Sequence, residues 1–287
     1  MRIGIQNVKL VQNGTVTPCD LLLNNDLVEE IVPLGGLEPG LKTVSADGLY
    51  LSHGFIDIHL HGGGGADFMD GTEDAWRTAA ALHLRHGTTC MTPTTLSATT
   101  EELMGAFQIF YRCRDDLQDG ARLLGLHLEG PYFSPAQCGA QDPAQLRNPD
   151  PVECQKILDK CPDIVRWSLA PELPGALEMG ALLSEQGIVA AIGHSDATYA
   201  QVCAAVRAGY THVTHLYSGM STVRRINAFR YSGIVEAAYL LDGLTGQERN
   251  SLALGGEIQG SPAVYRDILV IGTCSKDNAF MYGIKLQ

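Results

Sequence analysis

HGFIDIHLHGGGGADFMDGT, residues 53–72, ends an apolar run with two histidines one position apart and follows them with four consecutive glycines. His59 and His61 alternate with Ile58 and Leu60, so in a strand both imidazoles project to one face. The pair reads either as metal ligands at the mouth of a site or as two polar residues on the edge of an ordinary strand. Nothing inside the stretch decides between them, so any further ligands must come from elsewhere in the chain.

The same stretch marks a change of rhythm. Before it, residues 1–50 carry short alternating apolar segments, RIGIQNVKLV, CDLLLNN and LVEEIVPLGG, broken by Asn-Gly, Asn-Asn-Asp and Gly-Gly turn signals. They read as a small antiparallel, β-sandwich-like domain segment. From residue 51 brief apolar runs recur, GFIDIHLHG, GTTCMTPTT, RLLGLHLEGP, IVRWSLAPE, GIVAAIGHS and THVTHLYSGM, with helix-compatible stretches such as EDAWRTAAALHLRHG and QVCAAVRAGY between them. That alternation argues for an α/β fold with parallel strands, a (β/α)8-type TIM barrel, whole or incomplete, over 51–287. RDILVIGTC offers a further continuous apolar strand. The four glycines stand outside any GxGxxG strand-helix context and read as a flexible turn.

Composition narrows the class. The 287 residues, 45% hydrophobic and 18% charged, suit a globular chain with a large core. A net charge of -12 disfavours nonspecific binding to nucleic acid or to anionic membrane, because both need a basic surface. The opening MRIGIQNVKLVQNG has no secretory pattern and no apolar run is long enough to span a bilayer, so the expected location is cytoplasmic. Eight cysteines without a CxxC pair read as reduced thiols.

Chemically capable residues sit at the C-terminal ends of the apolar runs, which is the catalytic face of such a barrel. After His59 and His61 come Glu129 in HLEGP, His194 in GHSDATY and His215 in THLYSGM. Each alone is an ordinary strand ending. Together, imidazole nitrogens and a carboxylate oxygen suit one or two divalent ions, Zn, Fe, Mn or Co, and strand ends of a barrel converge. Such an ion lowers the pKa of a bound water, which points to a metal-dependent hydrolase. His127 and His212 read as packing residues or supports of a ligand, His53, His83 and His86 as surface or loop residues, Asp57 as a residue orienting a ligand histidine, and Glu172 and Asp196 as turn or helix-start residues.

HGFIDIHLHG, TPTT, GLHLEGPYFSP, CGAQ, LAPE, IGHSDATY and THLYSGMS occur in the order typical of the N-acetylglucosamine-6-phosphate deacetylases of the amidohydrolase superfamily, and the chain resembles that family over about residues 1–240. The resemblance implies that Glu129, His194 and His215 bind the principal metal, with His59 and His61 serving a second. It implies hydrolysis of the acetamide of N-acetylglucosamine 6-phosphate to glucosamine 6-phosphate and acetate, the backbone at Ala140 and at Ser218 and Gly219 holding the sugar. Arg225 best matches the arginine that meets the phosphate, with Arg224 and Arg230 close by, and the family implies a homodimer.

After Thr245 the pattern departs from the family. The ADGxH and TDA segments are absent, the second of which would carry the proton-shuttling aspartate, and the sequence stops before the family's final barrel helix. Asp277, in SKDN, lies at about the family's distance from His215, yet SKDN reads as a polar turn. No catalytic base is therefore assigned. Two alternatives stand beside the deacetylase reading: an amidohydrolase for another amide, and a catalytically impaired, metal-binding remnant.

Overall fold

The computed structural model describes residues 1–25 and 27–241 and, beyond them, the strands Glu257–Ile258, Ala263–Tyr265, Ile268–Cys274 and Ala279–Lys285. Asp277 lies outside the described residues. The chain divides into two compact units, Met1–Thr95 with Glu101–His127, and Leu96–Thr100 with Leu128–Gln287.

In the first unit, β1 (Arg2–Gln12), β2 (Thr15–Asn24) and β3 (Leu27–Val32) form an antiparallel meander. Asn13 and Gly14 join β1 to β2 with φ of 50° and 72°, the double positive φ that an Asn-Gly hairpin turn requires. β4 (Thr43–Ser45) and β5 (Tyr50–Leu51) then pair with β1 in parallel. The expectation of a purely antiparallel sandwich segment is corrected here to one mixed sheet. The loop after β3 carries the chain across to the free edge of β1, where β4 runs in the same direction as β1. Val8, Cys19, Leu21 and Ala46 form the core of this sheet, with Ile5, Leu10 and Leu51 packed against it. Asp20, buried, accepts from the N–H groups of Asn7 and Gly35, both at 2.8 Å, and so ties the β1 bulge to the turn after β3.

The same unit continues with β6 (Phe55–Leu60), β7 (Gly62–Gly63), β8 (Ala66–Asp67), α1 (Glu73–Arg85), β9 (Thr88–Pro93), α2 (Thr100–Arg114) and β10 (Arg122–Leu123). β6, β9 and β10 form a parallel sheet in the order β10-β9-β6. The four glycines form the first strand and the turn of a short hairpin. β7 pairs with β8, Gly64 and Gly65 turn at φ of 67° and 83°, and the Gly62 carbonyl lies 2.9 Å from Nε2 of His83 on α1. Thr72 caps α1 through its side chain, and Trp76 on the buried face donates to the Phe68 carbonyl at 2.9 Å. α2 buries Leu103, Phe107 and Phe110. Full burial of one such side chain contributes roughly 1.5–3 kcal/mol.

β11 (Leu126–Glu129) carries the chain into the second unit, where α3 (Pro151–Lys160), β12 (Ile164–Leu169), α4 (Ala176–Glu185), β13 (Val189–Ile192), α5 (Tyr199–Arg207) and β14 (Tyr210–Val213) alternate. The sheet runs β11-β12-β13-β14, with parallel ladders from β12 to β14. α3 begins on Asp150, which accepts from the N–H groups of Val152 and Glu153, with Pro151 at its first position. α5 begins with a Thr198 and Gln201 capping box. A hairpin of β15 (Arg224–Ile226) and β16 (Phe229–Tyr231) and then α6 (Ile234–Leu240) follow. Trp167 and Tyr132 stack in the core, centroids 5.6 Å apart and planes 22° apart.

Ile268–Cys274, expected as a further parallel barrel strand, instead pairs antiparallel with Glu257–Ile258, Ala263–Tyr265 and Ala279–Lys285. Short connections between successive strands favour antiparallel hairpins, whereas a parallel ladder needs a crossover of about a dozen residues or more.

Candidate metal centre

In the second unit each of three strands ends in a residue aimed at one point. Glu129 is the last residue of β11, His194 stands two positions past β13, and His215 two positions past β14. His194 and His215 leave their strands at φ of 44° and 36°, the left-handed region that non-glycine residues seldom occupy, and cost of order 1–3 kcal/mol each is expected at such positions. The bend brings both Nε2 atoms onto one carboxylate oxygen: Glu129 Oε1 lies 2.9 Å from His215 Nε2 and 3.3 Å from His194 Nε2, and the two Nε2 atoms are 3.2 Å apart.

The other ring nitrogens are engaged by backbone carbonyls, which accept only. His194 Nδ1 lies 2.9 Å from the Gln137 carbonyl and His215 Nδ1 2.9 Å from that of Ser218. Nδ1 therefore carries the proton when each ring is neutral, and Nε2 presents its lone pair towards Glu129. Glu129 is almost fully buried at 1% exposure, and its hydrogen bond to His215 raises the pKa of that imidazole. A buried carboxylate facing two lone-pair nitrogens repels them unless a cation or a proton stands between, so this donor set fits a divalent ion.

The surroundings hold the turn in place. Gly139, at φ of 58°, and Gly219, at φ of 60°, flank the His194 ring, and a β-carbon would stand 3.3 Å from its Cε1 in the first case and 3.1 Å from its Nδ1 in the second. The Phe133 ring lies against His194 with centroids 4.5 Å apart. Glu172 lies in the turn after β12, as the sequence implied, and Asp196 stands two positions before the Thr198 cap of α5, but both also make contacts that a turn reading does not reveal. Glu172, just beyond β12, accepts from Ser195 Oγ and from the Asp196 N–H, both at 2.6 Å, and burial raises its pKa. Asp196 accepts from Gln137 Nε2 at 3.0 Å and pairs with Arg224, which also donates to the Asp196 carbonyl. These partners lie 23 to 59 positions apart in sequence, which no local pattern reveals.

The first unit holds the HxH pair. Their rings meet edge to face with centroids 5.2 Å apart. His61 Nδ1 lies 3.3 Å from the Thr94 carbonyl, which leaves its Nε2 as an acceptor. His59 Nδ1 faces Nδ1 of the fully buried His127 at 3.2 Å, and Asp57 accepts from the His59 N–H at 3.0 Å. His127 thus supports His59, whereas His212, 3.3 Å from Arg166 Nη1, has its pKa lowered by burial and by that cation.

Of the residues expected to hold substrate, Ala140 is exposed in a tight turn closed by Gln141 N–H to the Cys138 carbonyl at 3.0 Å. Ser218 and Gly219 lie in the turn after His215, where the Ser218 N–H donates to the His215 carbonyl and the Gly219 carbonyl accepts from Ser195. Arg225 is exposed on β15 directly across from Arg230, while Arg224 is committed to Asp196.

An acid-and-imidazole cluster at the ends of β11, β13 and β14 of one sheet is a donor set that could hold a divalent ion in an α/β protein. The chain matches the amidohydrolase family model over residues 50–252, and it belongs to that family. It is 32% identical over 227 residues to the N-acetylglucosamine-6-phosphate deacetylase of Haemophilus influenzae, covering 79% of this chain and 58% of that protein. It is also 32% identical over 214 residues to the N-acetylgalactosamine-6-phosphate deacetylase of Escherichia coli O157:H7, covering 74% of this chain and 55% of that one. Among solved structures it resembles a mutant Mycobacterium smegmatis N-acetyl-D-glucosamine-6-phosphate deacetylase in complex with N-acetyl-D-glucosamine-6-phosphate, at a TM-score of 0.68 and 33% identity, covering 83% of this chain and 60% of that chain. The chain spans little more than half the length of the curated relatives it matches.

Proposed function

We propose that the chain hydrolyses the N-acetyl group of an amino-sugar 6-phosphate, N-acetylglucosamine 6-phosphate first, on a (β/α)8-type barrel. The observation that carries this reading is the convergence of Glu129 Oε1 and the Nε2 atoms of His194 and His215, in a chain of the amidohydrolase family. Those three residues would hold the principal ion, with His59 and His61 as ligands of a second. A divalent ion held there supplies Lewis acidity, polarising an acyl oxygen and bringing the pKa of water towards neutrality.

The chain's own residues orient this chemistry. The Gln137 and Ser218 carbonyls keep the protons of His194 and His215 on Nδ1, and Glu172 braces the segment that carries His194. Arg225, exposed on β15 in register with Arg230, places two guanidinium-bearing positions side by side on one hairpin, which supports Arg225 as a phosphate contact. Ala140, Ser218 and Gly219 are the sugar-holding positions in this reading. The proton acceptor is left unassigned.

The relative named for N-acetylgalactosamine 6-phosphate, at the same identity as the one named for N-acetylglucosamine 6-phosphate, supports the C4 epimer as a second substrate. The test is a single-turnover measurement of acetate release from both sugar phosphates, with metal content measured on the same sample. Acetate from either supports the reading and ranks the epimers. Tightly bound metal with no acetate from either sinks it in favour of the metal-binding remnant, and acetate from unphosphorylated amides alone favours a different amidohydrolase.

A further inference from the structure

Gln141 is buried at 4% exposure, although its amide lies in a polar loop. Its two ends are fixed differently. Oε1 accepts from the Ser97 N–H at 2.7 Å, so the amide cannot be turned over without placing two donors together. Nε2 consequently faces Glu129 and donates to Oε2 at 3.1 Å. The turn from Cys138 to Gln141, with Gly139 at positive φ beneath the His194 ring, delivers the amide to that place. Glu129 is thereby divided: Oε2 accepts from Gln141, while Oε1 is the oxygen that both imidazoles approach.

We propose that Gln141 is a positioning residue that makes Glu129 bind the ion through Oε1 alone. The inference rests on the metal centre of the preceding reading. A carboxylate oxygen engaged by a well-oriented amide donor is a poorer ligand, and the fixed carboxylate plane keeps Oε1 directed at the ion. Removing the amide frees Oε2, which allows two-oxygen binding and a higher coordination number. Hydrogen-bond partners of a ligand of this kind typically change metal affinity about 10–100-fold.

The test is cobalt(II) titration of the metal-free full chain, reading affinity and the visible absorption together, for the parent and for Gln141→Leu. The expected result is about 10–100-fold weaker cobalt binding and a fall in visible absorptivity, since cobalt(II) absorbs less strongly as its coordination number rises. An unchanged cobalt spectrum overturns the inference, whether or not affinity changes, because a purely structural role would loosen binding without altering the ligand atoms. If Gln141→Leu does not fold, Gln141→Met, unbranched and of similar length, removes the amide donor with less change of shape and is read in the same way. A parent chain that takes up no cobalt contradicts the metal centre itself, while a parent that binds and a variant with an identical spectrum contradict only the role of Gln141.

Discussion

The two histidine clusters differ in what fixes their protons. In the Glu129, His194 and His215 cluster, each Nδ1 meets a backbone carbonyl, and both Nε2 atoms face a buried carboxylate. In the His59, His61 and His127 cluster the His61 Nδ1 meets the Thr94 carbonyl, whereas the His59 Nδ1 meets another imidazole, which can donate or accept. Backbone carbonyls have one role and imidazoles two, so the first cluster is pre-organised for a cation and the second is adaptable. Two HxH histidines are the more conspicuous signal in a sequence, yet on this comparison they are expected to hold an ion less tightly.

The comparison breaks most sharply on removal of a ligand. His194→Ala or His215→Ala is expected to weaken the tight metal site by more than about 100-fold, since even indirect partners of ligands cost about 10–100-fold. Calorimetric titration of the metal-free protein checks this, and an equal loss in His61→Ala would erase the distinction between the clusters. His59→Ala and His61→Ala are instead expected to lower total bound metal by at most one equivalent while the tight site stays loaded, as read by elemental analysis.

A smaller effect is expected at Gly219. An alanine there meets His194 Nδ1 at 3.1 Å and adopts φ of 60°, costing about 1–2 kcal/mol in stability by denaturant unfolding, together with weaker metal binding. Alanine at Gly14, also at positive φ but with open space around its β-carbon, is expected to cost stability without touching metal affinity.

The smallest effect on the metal centre is expected at the ion pair of Arg147 and Glu153, which bears on stability alone. Arg147 holds Glu153 at 2.7 Å, with Thr100 and Tyr132 also donating, and these lower the Glu153 pKa to about 2. A carboxylate with a lower pKa folded than unfolded stabilises above the unfolded value, near 4.3, and loses that contribution as pH falls towards 2. Glu153→Gln is expected to lower stability near neutrality by about 1–3 kcal/mol and to flatten its decline between about pH 5 and pH 2, measured by unfolding at several pH values. An unchanged acid profile would remove Glu153 from the account.

The proposed ligands were legible because each closes an apolar run, and one sheet brings the ends of such runs together. α1 and α5 were legible from their periodicity in the same way. Gln141, Glu172 and Gly139 were not, because what defines them is a partner distant in sequence: Ser97 and Glu129 for the first, Ser195 for the second, the His194 ring for the third. The resemblance picked Arg225 from among Arg224, Arg225 and Arg230, but the contacts that separate the three are not written in the sequence. They are the pairing of Arg224 with Asp196 and the hairpin register that sets Arg225 opposite Arg230. The parallel pairing of β4 and β5 escaped for a related reason, since strand composition says little about which edge a strand reaches.

The most direct test is a crystal of the metal-loaded full chain measured at and below the absorption edge of the bound metal. The account predicts a strong anomalous peak among Glu129 Oε1, His194 Nε2 and His215 Nε2, with Oε2 of Glu129 still on Gln141. A fully loaded protein whose peak lies away from those three atoms, or at the HxH pair alone, would contradict it.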